Sequence, residues 1–137
     1  MKIAYKHLLK SIKEKPHIDD LSNKLFQLGH EHEIENEIFN FEFTPNRGDC
    51  LSLRGLLRDL SIFYKVSMND DIYNGNIENL NIDFVNKMQD FCPKISFLKV
   101  EIDSVPDNYT DEVENYFNDL DVKKNNFFTD ISNYISY

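Results

Sequence analysis

The stretch FEFTPNRGDCLSLRG, Phe41–Gly55, changes its period in the middle. Up to Phe43 the residues alternate as in a strand buried on one face, with Phe39, Phe41 and Phe43 on one side and Asn40 and Glu42 on the other. Further on, Leu53, Leu56, Leu57, Leu60, Phe63 and Tyr64 recur at helical spacing and predict an amphipathic helix to about Lys65. Between the two, Pro45 removes an amide donor and holds Thr44 extended, so the pairing ladder stops there. Asn46 and Gly48 tolerate the dihedrals of a tight turn, and Asp49 stands where a helix N-cap belongs. Arg47 offers a fork of five donors to turn carbonyls or to a carboxylate. Pro45, Asn46, Arg47 and Asp49 therefore read as a structural clasp between strand and helix, and Asp49→Ala is expected to lower stability through loss of a cap. Gly55 lies inside the predicted helix at a cost of about 1 kcal/mol relative to Ala, which close packing against another backbone would explain.

Towards the N-terminus, Lys2 to Ala4 reads as a short strand and Tyr5, Leu8, Leu9 and Ile12 as a helix stopped by Pro16. A second helix is predicted from Ile18 to Leu28, with Leu21, Leu25 and Leu28 on one stripe, Asp19 and Asp20 in its first turn and Gly29 at its end. The run HEHEIENE, His30 to Glu37, is polar and reads as a connector. Towards the C-terminus a linker is followed by a strand from Ile95 to Ile102 and a helix capped by Thr110 or Asp111. The closing run NNFFTDISNYISY leans towards β structure and has no later segment to pair with. The fold class is α+β: a small helix-rich domain over 1–70, a linker over 71–79 and the beginning of an α/β module over 80–137. Cut near Asn69, the first domain is expected to fold alone and residues 76–137 to be loose.

A chain of 137 residues with 41% hydrophobic residues can fill one core. Its formal charge of −9 is lopsided: residues 1–70 hold ten Lys/Arg against eleven Asp/Glu, and residues 71–137 hold five against thirteen. An acidic half repels phosphate backbones, so a nucleic-acid role would belong to a larger assembly. Two cysteines without spacing signature, and an N-terminus without a signal-peptide apolar run, indicate a cytoplasmic chain with no membrane partner. An adhesive Arg-Gly-Asp would need a secreted, flexible loop tip. A Cys50 nucleophile would need His17, His30 or His32 brought beside it. A metal site from His30, His32 and Cys50 or Cys92 has no recognised ligand spacing, and these histidines are expected in solvent. Asp107 to Glu114 lacks the alternating oxygens of a calcium loop. No catalytic residue and no metal site is expected.

The segment TPNRGDCLSLRGLLRDL resembles the strand-turn-helix of the β subunit of bacterial phenylalanyl-tRNA synthetase, where Thr-Pro-Asn-Arg, a small residue, Asp-Cys-Leu-Ser and an Arg-Gly pair follow in this order. MKIAYKHLLKSI and LSNKLFQLGHEHE resemble that subunit's opening. FCPKISFLKVEI resembles the entry strand of its next module, and KKNNFFTDISNYIS resembles a later stretch of that module through Asn126, Asp130, Ser132, Asn133 and Tyr134. The resemblance implies the N-terminal portion of such a subunit, without the OB-type tRNA-binding insert, whose place is taken by residues 30–37. It also implies the start of the editing module that hydrolyses mischarged tyrosyl-tRNA, with Lys123, Asn126, Asp130 and Asn133 as a remnant of its pocket. Lys123 stands where an arginine is usual, a point charge in place of a planar fork. Phenylalanine-tRNA ligase activity would lie with the partner α subunit, ATP and Mg would bind only in the assembled synthetase, tRNA would be met through that assembly, and this chain alone would be inactive. The alternative is a stand-alone winged-helix-like binding module that docks through Arg54, Arg58 and Lys65.

Overall fold

Alternation over Ile38–Glu42 makes β3, the middle strand of a three-stranded antiparallel sheet in the order β1-β3-β2, with β1 at Lys2–Ala4 and β2 at Glu31–Glu35. The computed structural model describes residues 1–68, 75–76 and 78–137. The register sets Ile3 beside Phe39 and His32 beside Phe41, so these side chains share the inner face. Three helices cover that face: α1 (Tyr5–Ser11), α2 (Ile18–Gln27) and α3 (Leu53–Leu60). Their apolar stripes close a core of Ile3, Leu8, Ile12, Leu21, Leu25, Phe39, Phe41, Leu56, Leu57 and Leu60. Gly29, at φ 80°, ends α2 in the left-handed geometry that glycine adopts without strain.

Residues His30 to Glu37 are not a mere connector, because β2 forms within them. Glu31, Glu33 and Glu35 take the outer face, while His32 and Ile34 turn towards Phe41 and Phe39. The hairpin turns on Asn36 and Glu37, both at positive φ (51° and 61°). Only Asn suits that geometry readily. Glu37→Gly is therefore expected to stabilise the chain by about 0.5–1 kcal/mol, read as a rise in melting temperature; a fall would count against the turn.

The closing run is helical. α4 spans Asp111–Leu120 and α5 spans Phe127–Ser136. Asn126 caps α5 by accepting the Thr129 amide at 3.2 Å. The half-buried or buried positions Phe127, Asp130, Ile131 and Tyr134 lie on one helical stripe, and this period overrides the β leaning of their side chains. Thr110 holds the extended N-cap backbone of α4 without a side-chain cap bond. Val113, Tyr116, Phe117 and Leu120 pack on Ala4 in a second cluster, joined by Ile38, Ile131 and Tyr134. Packing thus divides the chain into Met1–Asn69 with Asp107–Tyr137 as one unit and Asp70–Pro106 as another, and a cut near Asn69 would uncover Ala4.

Within the second unit, Ile95 to Ile102 does not form a strand. Its alternation is suitable, but no neighbouring strand exists among the described residues, and Phe97, Leu98 and Val100 are 48%, 74% and 65% exposed. The expected linker, 71–79, lies largely outside the described residues. Among the described residues no helix is long and apolar enough to cross a membrane.

Candidate functional site

After β3 the chain turns at Thr44–Arg47, where the Arg47 amide donates to the Thr44 carbonyl at 2.9 Å. A 3₁₀ turn, Gly48–Cys50, then lowers Cys50 into the core at 0% exposure. The N-cap of α3 is Ser52, not Asp49: the Ser52 hydroxyl accepts the Gly55 amide at 3.0 Å. The 3₁₀ turn separates Asp49 from the helix and frees its carboxylate for charge pairing. Gly55 passes so close to the turn that a Cβ there would clash with the Asp49 carbonyl oxygen.

The Asp49 carboxylate accepts from Arg47 Nε at 3.0 Å and Nη2 at 3.2 Å, and also from Arg58. Asp59, one residue along α3 from Arg58, accepts from Arg47 and, at 2.9 Å, from Arg58 Nη2. His30, 1% exposed, donates Nε2–H to Asp59 at 3.1 Å and stands edge-on to Phe43. Two arginines and two aspartates thus alternate around one ring that ties the turn to α3 and, through His30, to the end of α2. Bonds from Arg47 and then Arg58 hold the Asp49 carboxyl well below the usual carboxylate range, and the Arg47 guanidinium is raised in turn by Asp49 and Asp59. Burial would raise the Asp59 carboxyl, but bonds from Arg47, Arg58 and Cys50 outweigh it and hold it at about 2. Burial, with the Asp59 charge added, pushes the Cys50 thiol up to about 11.

This geometry bears on three chemistries. His30 is buried rather than solvated, and its Nε2, the Cys50 sulfur and an Asp59 oxygen lie within 4.8 Å of one another, a set of donors that suits a metal by type. The place of the cation is taken by Arg47, whose Nη2 donates to Cys50 Sγ at 2.7 Å and to Asp59. A thiol held protonated at neutral pH is a poor nucleophile. Arg47 and Asp49, bound to each other, are not a free adhesive pair.

The other residues singled out in the sequence lie on or before α5. Asn126 is its cap, and buried Asp130 accepts from the Asn125 amide at 2.9 Å and the Tyr109 hydroxyl at 2.8 Å. The Asn133 carbonyl accepts from the Tyr116 hydroxyl and the Tyr137 amide, and Lys123 is exposed. Asn126 and Asp130 thus spend these bonds on folding the start of α5. What sequence reading missed is a cavity of about 480 Å³ between α1 and the α4–α5 pair, with His7, Lys10, Glu112, Tyr116 and Tyr134 in its wall. Its residues come from segments far apart in the sequence, α1, Leu53 of α3 and the α4–α5 pair, and share no motif.

No protein-family model and no solved structure matches the chain. Among curated proteins it is similar to the phenylalanine-tRNA ligase beta subunit of Psychrobacter arcticus, 25% identical over 111 residues that cover 74% of this chain and 13% of that protein. It is also similar to the beta subunits of Wolinella succinogenes, 43% identical over 42 residues (30% of this chain, 5% of that protein), and Pseudoalteromonas translucida, 29% identical over 65 residues (44% and 8%). The chain therefore spans only a small part of the length of these relatives.

Proposed function

We propose that this chain is the N-terminal structural portion of a phenylalanine-tRNA ligase β subunit. The observation that carries the reading is the likeness to such a subunit over 74% of the chain. The ionic clasp supports it: Arg47, Asp49, Arg58 and Asp59 of the strand-turn-helix segment are spent on one another, as suits a rigid support rather than a reacting centre. In this reading the chain helps hold the assembly in which the α subunit joins phenylalanine to its tRNA with ATP and Mg, and meets tRNA only through that assembly. Co-expression with the tagged α subunit of the same organism tests it. The chain should co-elute with the α subunit at a fixed ratio through size exclusion, and free elution would reject the reading.

A helix pair followed by a hairpin, α1–α2 then β2–β3, favours a second reading as a winged-helix-like binding module. Its proposed docking face is weakened, because Arg58 is bound to Asp49 and Asp59. Retardation of a labelled duplex by the chain, lost with rising salt, together with failure to co-elute, would put this reading first.

A further inference from the structure

Outside the clasp, His7 is a buried polar group, 7% exposed, in the first turn of α1. Its Nε2 lies 2.8 Å from Asp119 on α4, and its Nδ1 lies 2.8 Å from the Tyr137 hydroxyl beyond α5. Asp119 also pairs with Lys6, and the Tyr137 oxygen accepts the Ala4 amide at 3.2 Å. One proton arrangement satisfies all of these groups. Neutral His7 donates Nε2–H to Asp119 and accepts the Tyr137 O–H at Nδ1, while Ala4 fills a lone pair of the phenol oxygen. A proton on Nδ1 sets two donors against each other and expels the hydroxyl hydrogen from its partner. These bonds bridge 112 and 130 positions of sequence and fasten α4 and α5 to β1 and α1.

We propose that His7, Asp119 and Tyr137 form a proton-operated latch, which holds the α4–α5 pair on β1 and α1 and releases it when His7 takes up a proton. The proposal is independent of the ligase reading. The charged and titratable groups around His7 include Asp119, Glu112 and Tyr116 from α4, Tyr134 and Tyr137 from the α5 side, and Lys6 and Lys10 on its own helix, and Leu53 of α3 lines the same cavity. Burial lowers the His7 pKa, Asp119 opposes this, and Lys10 and Lys6 reinforce it, with a net fall. Burial would raise the Asp119 carboxyl, but Lys6 and His7 bring it below the usual range, so it stays charged throughout the pH window of the latch. A histidine depressed in the folded state favours folding above its ordinary value of about 6.5, and that support is lost as pH falls. Release uncovers Ala4 and the inner side of Val113 and Phe117.

The test is a series of amide and imidazole nitrogen NMR spectra of the whole chain between pH 7.5 and 5.0. At pH 7.5 the His7 ring should be the neutral Nε2–H tautomer. As pH falls, the amides of Ala4, α4 and α5 should lose their native shifts with the midpoint of the His7 ring, while β2 and β3 keep theirs. The released-to-held ratio should rise by up to about tenfold per pH unit, the limit for one proton. His7→Gln should make the α4–α5 amides insensitive to pH over this range. Tyr137→Phe, which keeps the ring, should move the release midpoint towards neutral pH. The latch is overturned by a wild-type α4–α5 pair that stays native to pH 5.0, by either variant titrating like the wild type, or by β3 melting in step with α5, which would make the transition an unfolding of the whole sheet rather than release of this pair.

Discussion

Asp59→Ala is expected to lower the unfolding free energy by about 3 kcal/mol, the lower end of the range for removing one partner of a buried ion pair. Asp59 is 16% exposed at the side chain and is the common acceptor for Arg47, Arg58 and buried His30. Without it, the Arg47 guanidinium, turned in against Cys50, and the His30 Nε2–H lose an acceptor that water cannot easily replace. Asp59→Asn keeps one acceptor oxygen and should lose about half as much. The measurement is the urea midpoint at unchanged slope, since a changed slope would mean altered compactness rather than a lost bond. A midpoint equal to the wild type would show the ring to be solvated and idle. Because Asp59 is held at about 2 when folded, its contribution is complete above about pH 4 and disappears as pH falls to 2, a term of about 2 kcal/mol. Acid titration of Asp59→Ala should lack that term.

Gly55→Ala should show the second large effect, with a sign opposite to the usual one. In a solvent-facing helix interior this change gains about 1 kcal/mol. Here the new Cβ meets the Asp49 carbonyl oxygen, its carbon at 3.0 Å and Cys50 Cα at 3.1 Å, all backbone and none able to rotate aside. The expected loss is about 3 kcal/mol, the upper end for overpacking against atoms that cannot yield. Gly48→Ala is the control, because nothing lies within 4 Å of a Cβ there. If both substitutions behave alike in thermal melts, the 3₁₀ turn does not seat on α3.

How far the sequence was readable follows from where its signals are local. α1, α2, β3 and α3 each carry a sharp period, and where Gly29 and Pro45 punctuate it, α2 and β3 lie near their expected bounds; α1 and α3 end early, at Ser11 rather than before Pro16 and at Leu60 rather than about Lys65. The clasp residues could be named because turn chemistry is short-range. The cap was assigned to the wrong residue because Asp49 and Ser52 are both capping types three positions apart, and the intervening 3₁₀ turn leaves no pattern in the sequence. β2 was missed because only Ile34 and His32 mark its inner face, and an edge strand takes its identity from its partner. The converse holds at Ile95 to Ile102, where strand character exists without a partner. His7, Asp119 and Tyr137 were illegible because their pairing arises only after α4 and α5 dock, and no spacing rule spans such a separation.

The cover that Val113, Tyr116 and Phe117 place over Ala4 has a consequence for biosynthesis. A polypeptide leaving the ribosome shows β1 well before α4 is made, so this small hydrophobic seat stays vacant while the residues between them are synthesised. A neighbouring nascent molecule can supply the missing helices just as well. Crowded polysomes are thus the setting in which reciprocal exchange of these helices between copies competes with correct self-closure.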